Sequence, residues 1–143
     1  MRVTWNPFIG AIDFVLGKQQ VASEAGLVLT NVPCLASVYV GAAVRMDSGT
    51  AENAIATGLV ASNVLGFAIS KPTTTTCNVR VSGLLEPVLT GLDDTKEYFL
   101  SATVAGDITT TIPTTSGHVV YKMGIPFSAT ELVIDKGNRW VRA

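Results

Sequence analysis

The chain has 143 residues, which is enough for one domain with a substantial core. Apolar residues make up 48% and charged residues only 15%, against about 25% in ordinary soluble domains, and the formal net charge is -1. The ten lysines and arginines are scattered without a cluster, which argues against a nucleic-acid partner, because phosphate binding needs a concentrated basic footprint.

So little charge gives copies of the protein little to repel one another with, and part of the surface is expected to be covered by partners. The alternative is a neutral monomer coated in threonine, serine and asparagine. The longest apolar stretch, residues 58–70, is broken by Ser62 and Asn63 and is too short to span a bilayer of about 30 Å. The opening "MRVTWNPF" lacks the apolar core of a signal peptide, so synthesis and assembly in cytoplasm are expected, with no membrane role.

In chain order, residues 1–26 read as an extended arm. Pro7 holds Asn6 extended and Gly10 permits a kink. The arm is too short to bury Trp5, Phe8 and Phe14 within itself, so these must pack on the main domain or on a neighbouring subunit; docking on a partner is the expectation. Residues 27–143 read as a single β domain. Residues 27–29 and 37–45 are strand-like, and Asp47-Ser48-Gly49 makes a turn. Residues 51–57 suggest one or two helical turns. A strand is expected over 64–70, then a loop of Lys71-Pro72 and four threonines, then an alternating strand over 77–83.

Further on, Tyr98, Leu100, Ala102 and Val104 would share one face and Phe99, Ser101 and Thr103 the other. After a Gly106-Asp107 turn, Thr109 and Thr111 alternate with Ile108, Thr110 and Ile112. Residues 118–127 repeat the alternation through Val119, Tyr121, Met123 and Ile125. Residues 130–135 and 139–143 close the chain. Strands every 8–15 residues with few helical periods predict a mainly β protein: an antiparallel sandwich or barrel, jelly-roll-like, with the arm at its start. Threonine suits its outer face, since a branched Cβ favours strand geometry and the hydroxyl can bond across strands or to a partner.

No catalytic constellation is visible. The one histidine, His118, has no Gly-x-Ser-x-Gly elbow to serve and no second histidine to share a metal with. Asp93 and Asp94 are adjacent in a turn and point apart, while Glu86, Asp107, Glu131 and Asp135 are dispersed. Cys34 and Cys77 lack ligand spacing and read as buried free thiols. Lys136, Arg139 and Arg142 near Trp140 read as a solvated last strand. The expectation is therefore no enzyme, no cofactor and no metal.

The opening "WNPFIGAIDFV" resembles an Asn-Pro-x-x-Gly-x-x-Asp start found in small structural proteins of tailed bacteriophages, with Ile9 standing where threonine is expected. Residues 80–135 resemble a β module of phage virion proteins. The marks are Gly91, Tyr98-Phe99-Leu100-Ser101, Gly106, Ile108-Thr109, Pro113, Ser116-Gly117, Gly124, Ser128 and Leu132. The resemblance implies a capsid decoration or cement protein on the virion exterior, with the major capsid protein and itself, as a homotrimer, for partners. A tail or fibre component with a β domain for host or glycan contact is the alternative. The contact residues expected are Trp5, Pro7, Phe8 and Phe14 of the arm with Phe99, Ser101, Thr103, Thr109 and Thr111 of the domain.

Overall fold

A computed structural model describes residues 26–143. The expected arm, with Trp5, Pro7, Phe8 and Phe14, lies outside the described residues. The rest is an antiparallel β-sandwich, as expected. Strands β1 (Val28–Pro33), β2 (Ala43–Asp47), β3 (Thr50–Asn53), β4 (Val64–Thr73) and β5 (Thr76–Arg80) form one sheet in the order β1-β5-β4-β2-β3. The second sheet has the order β6-β10-β9-β7-β8. It is built from β6 (Gly83–Leu84), β7 (Tyr98–Leu100), β8 (Ile108–Thr109), β9 (Val119–Pro126) and β10 (Leu132–Ile134), and β11 (Arg139–Val141) pairs with the start of β9. Each sheet therefore draws on one half of the described chain. Among the described residues, no helix is long and apolar enough to cross a membrane.

The main core lies between the sheets. Phe67 of β4 meets Leu100 of β7, Val119 and Met123 of β9 and Leu132 of β10, all fully buried. Each such side chain contributes about 1.5–3 kcal/mol by leaving water. The first sheet is also covered on its other face. Val44, Ala68, Cys77 and Val79 pack there under Cys34, Val38 and Ala42, so residues 34–42 form a cover rather than a strand. The strand expected from residue 37 begins only at Ala43. The reason is local: Gly41 adopts φ +95, and Lys71 donates to the carbonyls of Ala36 and Val38 at 3.2 and 2.8 Å, holding the cover as turns.

Two further expectations are corrected. Residues 50–53 are strand β3, not helix. Ser48 and Gly49 both have positive φ, at 51 and 83, which is the two-residue hairpin turn whose twist returns the chain beside β2. Ala51 is then buried and Glu52 ion-pairs with Arg45 at 2.9 Å. The loop expected at Lys71-Pro72 and the four threonines is mostly strand: residues 71–73 end β4, Thr76 starts β5, and only Thr74 and Thr75 turn.

A bulge re-phases β9. Phe99 opposes Lys122 and Tyr98 opposes Gly124, so one step of β7 spans two of β9. Met123 is the extra residue, and it stays in the core with Val119 and Tyr121. Beyond it the alternation inverts: Pro126 is buried opposite Leu132, while Ile125 is 41% exposed opposite Val133. Ile125 is therefore an outward residue, contrary to the unbroken alternation read from sequence.

Candidate contact surface

The strands that carry the hydroxyl residues are short. β7 stops at Leu100 because the Ser101 hydroxyl accepts the N–H groups of Thr103 and Val104, both at 3.1 Å, and turns the chain. The turn closes on Gly106, at φ +87, where a Cβ would crowd the Tyr39 hydroxyl at 2.9 Å. Backbone bonds fasten this turn to the first sheet: Ala43 N–H to Gly106 O at 2.8 Å, Gly106 N–H to Ala54 O at 2.7 Å and Ala56 N–H to Ser101 O at 2.9 Å. On the other side, the Thr109 hydroxyl accepts the Thr111 N–H at 3.1 Å as β8 ends.

Between these two turns lies a cleft of about 340 Å³. Ser101, Thr103, Thr109 and Thr111 line it together with Thr114, Thr115 and His118, and Ile112 and Pro113 add its apolar part. Four of the five expected contact residues in the described domain thus share one concave surface. The fifth, Phe99, does not line it; it stands on β7 in register with Thr109 and Lys122. Ser101 is only 4% exposed, and its hydroxyl is engaged by the turn, so it shapes the wall while Thr103 and Thr111 are exposed. Among the described residues, no carboxylate and no Lys or Arg lines the cleft. Its surface offers hydroxyls, methyls and one imidazole.

The residues considered for chemistry are distributed. His118 lines the cleft, and Asp93 and Asp94 do not. Asp93 accepts the Thr95 N–H at 3.0 Å and the Thr95 hydroxyl at 2.6 Å, and these bonds, with Lys96 nearby, hold its carboxyl below the usual carboxylate range. Glu86 pairs with Arg80, Asp107 accepts from Tyr39, Glu131 accepts from Ser128 and Asp135 pairs with Lys122. Among the described residues, no three His, Cys, Asp or Glu side chains gather as metal ligands would. Cys34 and Cys77 are free and buried in the second core.

The basic end is not simply a solvated strand. Lys136 donates to Leu65 O at 3.0 Å, with burial lowering its pKa, and Arg139 donates to Leu59 O at 2.7 Å while lying over the Tyr121 ring.

A second cleft, of about 380 Å³, lies where Tyr39 and Gly41 face Val88, Gly91 and Asp107. Sequence reasoning missed it, since its walls come from segments far apart in the chain. Among the described residues its one charged side chain, Asp107, is engaged internally: the Tyr39 hydroxyl donates to Asp107 Oδ1 at 3.0 Å and to Ala105 O at 3.3 Å. Burial, and then the bond to Asp107, push the Tyr39 phenol up to about 12. No protein-family model matches this chain, and neither a curated protein nor a solved structure is found to match it.

Proposed function

We propose that this is a virion accessory protein of a tailed bacteriophage, a decoration or cement protein that binds the outer surface of the major capsid shell and stabilises it as a homotrimer. The observation that carries the reading is the uncharged, hydroxyl-lined cleft beside exposed apolar side chains, among them Val104 at 52% and Ile112 at 43% exposure. Such a surface can lose its water to a protein partner at low cost, because threonine hydroxyls find new acceptors while their methyls pack. Burying it between neighbouring shell subunits would stabilise the shell, by an amount that rises with the logarithm of the bound protein's concentration above its Kd. The resemblance of about residues 1–15 and 80–135 to phage virion proteins supports a virion protein rather than a particular position in the virion, and the frequency of trimers among decoration proteins of that kind supports the trimeric order.

A tail or fibre component is the second reading, favoured by the same cleft, whose hydroxyls and imidazole could meet a glycan. Copy number separates the two. A quantitative gel of purified particles should give hundreds of copies per particle. A dozen or fewer would replace the decoration role with the tail role, and absence from particles would end both.

A further inference from the structure

The outer face of the second sheet carries an apolar row that nothing in the described domain covers. Leu84 of β6, Val133 of β10 and Ile125 of β9 are consecutive cross-strand partners, and each is 41% exposed. Phe127, just past β9, is 67% exposed. At strand spacings of about 4.8 Å the row is roughly 10 Å wide. It exists because of the β9 bulge, which turns Ile125 outward in line with Val133. Along β9 the row is bounded by Lys122, which is already paired with Glu97 at 3.5 Å and Asp135 at 3.4 Å.

The described chain enters beside this row. The Leu27 N–H donates to the Ser82 hydroxyl at 3.1 Å, and the Val81 N–H donates to Leu27 O at 2.8 Å. Gly26 is packed so closely on Ser82 that a Cβ there would overlap the Ser82 carbonyl, and it would meet Gly83 Cα at 3.0 Å. Leu84, the first residue of the row, is therefore one residue beyond the point where the preceding chain arrives. Upstream come residues 17–25, "GKQQVASEA", and before them residues 5–16, "WNPFIGAIDFVL", with Asp13 as their only charge. Nine linking residues reach up to about 30 Å, three times the width of the row.

We propose that residues 5–16 dock on the row Leu84, Val133 and Ile125 of their own chain, so that the aromatic side chains of the arm complete the outer face of the second sheet. Of the two places open to Trp5, Phe8 and Phe14, the main domain or a neighbour, the position of Gly26 selects the first. A tethered segment competes at high effective concentration against any free partner. This inference does not depend on the virion reading.

The test uses the full chain, in which Trp5 and Trp140 are the only tryptophans. In Trp140→Phe, Trp5 fluorescence should be blue-shifted relative to the unfolded chain and protected from acrylamide. Adding Val133→Glu, or separately Leu84→Glu, should shift it to the red and raise quenching several-fold, with circular dichroism showing the fold retained. Solvent-like Trp5 emission in Trp140→Phe, or emission indifferent to both glutamates, overturns the proposal. Co-refolding Trp140→Phe/Val133→Glu with excess full-length Trp5→Phe/Trp140→Phe distinguishes the chain's own face from a neighbour's. Recovery of blue emission in that mixture would assign the segment to a second copy and overturn the proposal; persistent red emission supports it.

Discussion

Gly124 lies against the backbone of Val133, so close that a Cβ at 124 would overlap the Val133 carbonyl oxygen and press on Leu132 Cγ at 3.1 Å. Its φ is not positive, so the requirement is space rather than backbone freedom. This contact lets β10 pair with β9 just after the Met123 bulge, where the inside-outside phase of the sheet inverts. Gly124→Ala should therefore separate the two strands and cost about 1–3 kcal/mol, the range of an overpacked site. Urea denaturation should show a lower midpoint than Gly137→Ala, where the nearest atom to a new Cβ is at 3.4 Å.

The sandwich itself was legible because its main strands carry period-2 patterns and their turns carry Gly, Asp and Ser. What defeated the reading was covering and re-phasing. Residues 37–42 have the apolar content of a strand, yet Val38 and Ala42 are buried as a lid over the first sheet. Ala51, in a stretch that looks helix-compatible, is held as strand by the turn at Ser48 and Gly49. The bulge at Met123 has no local signature. The threonine surface was half legible: alternation picked out Thr103, Thr109 and Thr111, but only folding brings Pro113, Thr115 and His118 round to make it concave.

Tyr39 and Asp107 fasten the cover of the first sheet to the turn that shapes the contact surface. The folded-state pKa of Tyr39 is raised from 10 to about 12, so the neutral phenol is favoured by folding. Its contribution is complete below pH 10 and is lost as pH rises through about 12. Tyr39→Phe should lower Tm modestly at pH 8, by the equivalent of about 0.5–1.5 kcal/mol. It should also flatten the fall in Tm between pH 10 and 12. An unchanged alkaline slope would show that the clasp is not the titrating element.

Arg80 grips Glu86 with two bonds, Nε to Oε1 at 2.9 Å and Nη2 to Oε2 at 2.7 Å. The bonds from Arg80 hold the Glu86 carboxyl below its ordinary value. The stability this provides is present above about pH 4.5 and is lost as pH falls through the depressed folded value. Since Glu86 is more than a third exposed, solvent screening limits the effect, and Glu86→Gln should cost about 1 kcal/mol at pH 7. The difference between the two proteins should shrink on acidification, which thermal melts from pH 7 to pH 3 would reveal.

Cys34 and Cys77 are 3% and 0% exposed, and burial, followed by the bond to Cys34, pushes the Cys77 thiol up to about 11. Both should resist alkylation at pH 8, because burial blocks access to each and little Cys77 thiolate forms there. Thiol titration should count close to none in the native protein and two after denaturation. Fewer than two after denaturation would reveal a disulfide, and rapid native labelling would contradict the burial of the second core.

Thr111 is exposed, lines the hydroxyl cleft, and contributes only its backbone N–H to the local turn. Thr111→Arg should thus fold normally, within about 0.5 kcal/mol of the parent. If the cleft meets the capsid, however, the guanidinium would enter a contact with no carboxylate among the described residues of the cleft to receive it, and desolvating it there costs more than a neutral hydroxyl does. A penalty of about 1.4 kcal/mol already lowers occupancy tenfold at concentrations below Kd. Thr110→Arg is the matched control, since Thr110 is exposed but lies outside the cleft. Sedimentation of each variant with particles stripped of the protein should show at least tenfold weaker attachment for Thr111→Arg and near-parental attachment for Thr110→Arg. Equal binding by the two would remove the cleft from the interface.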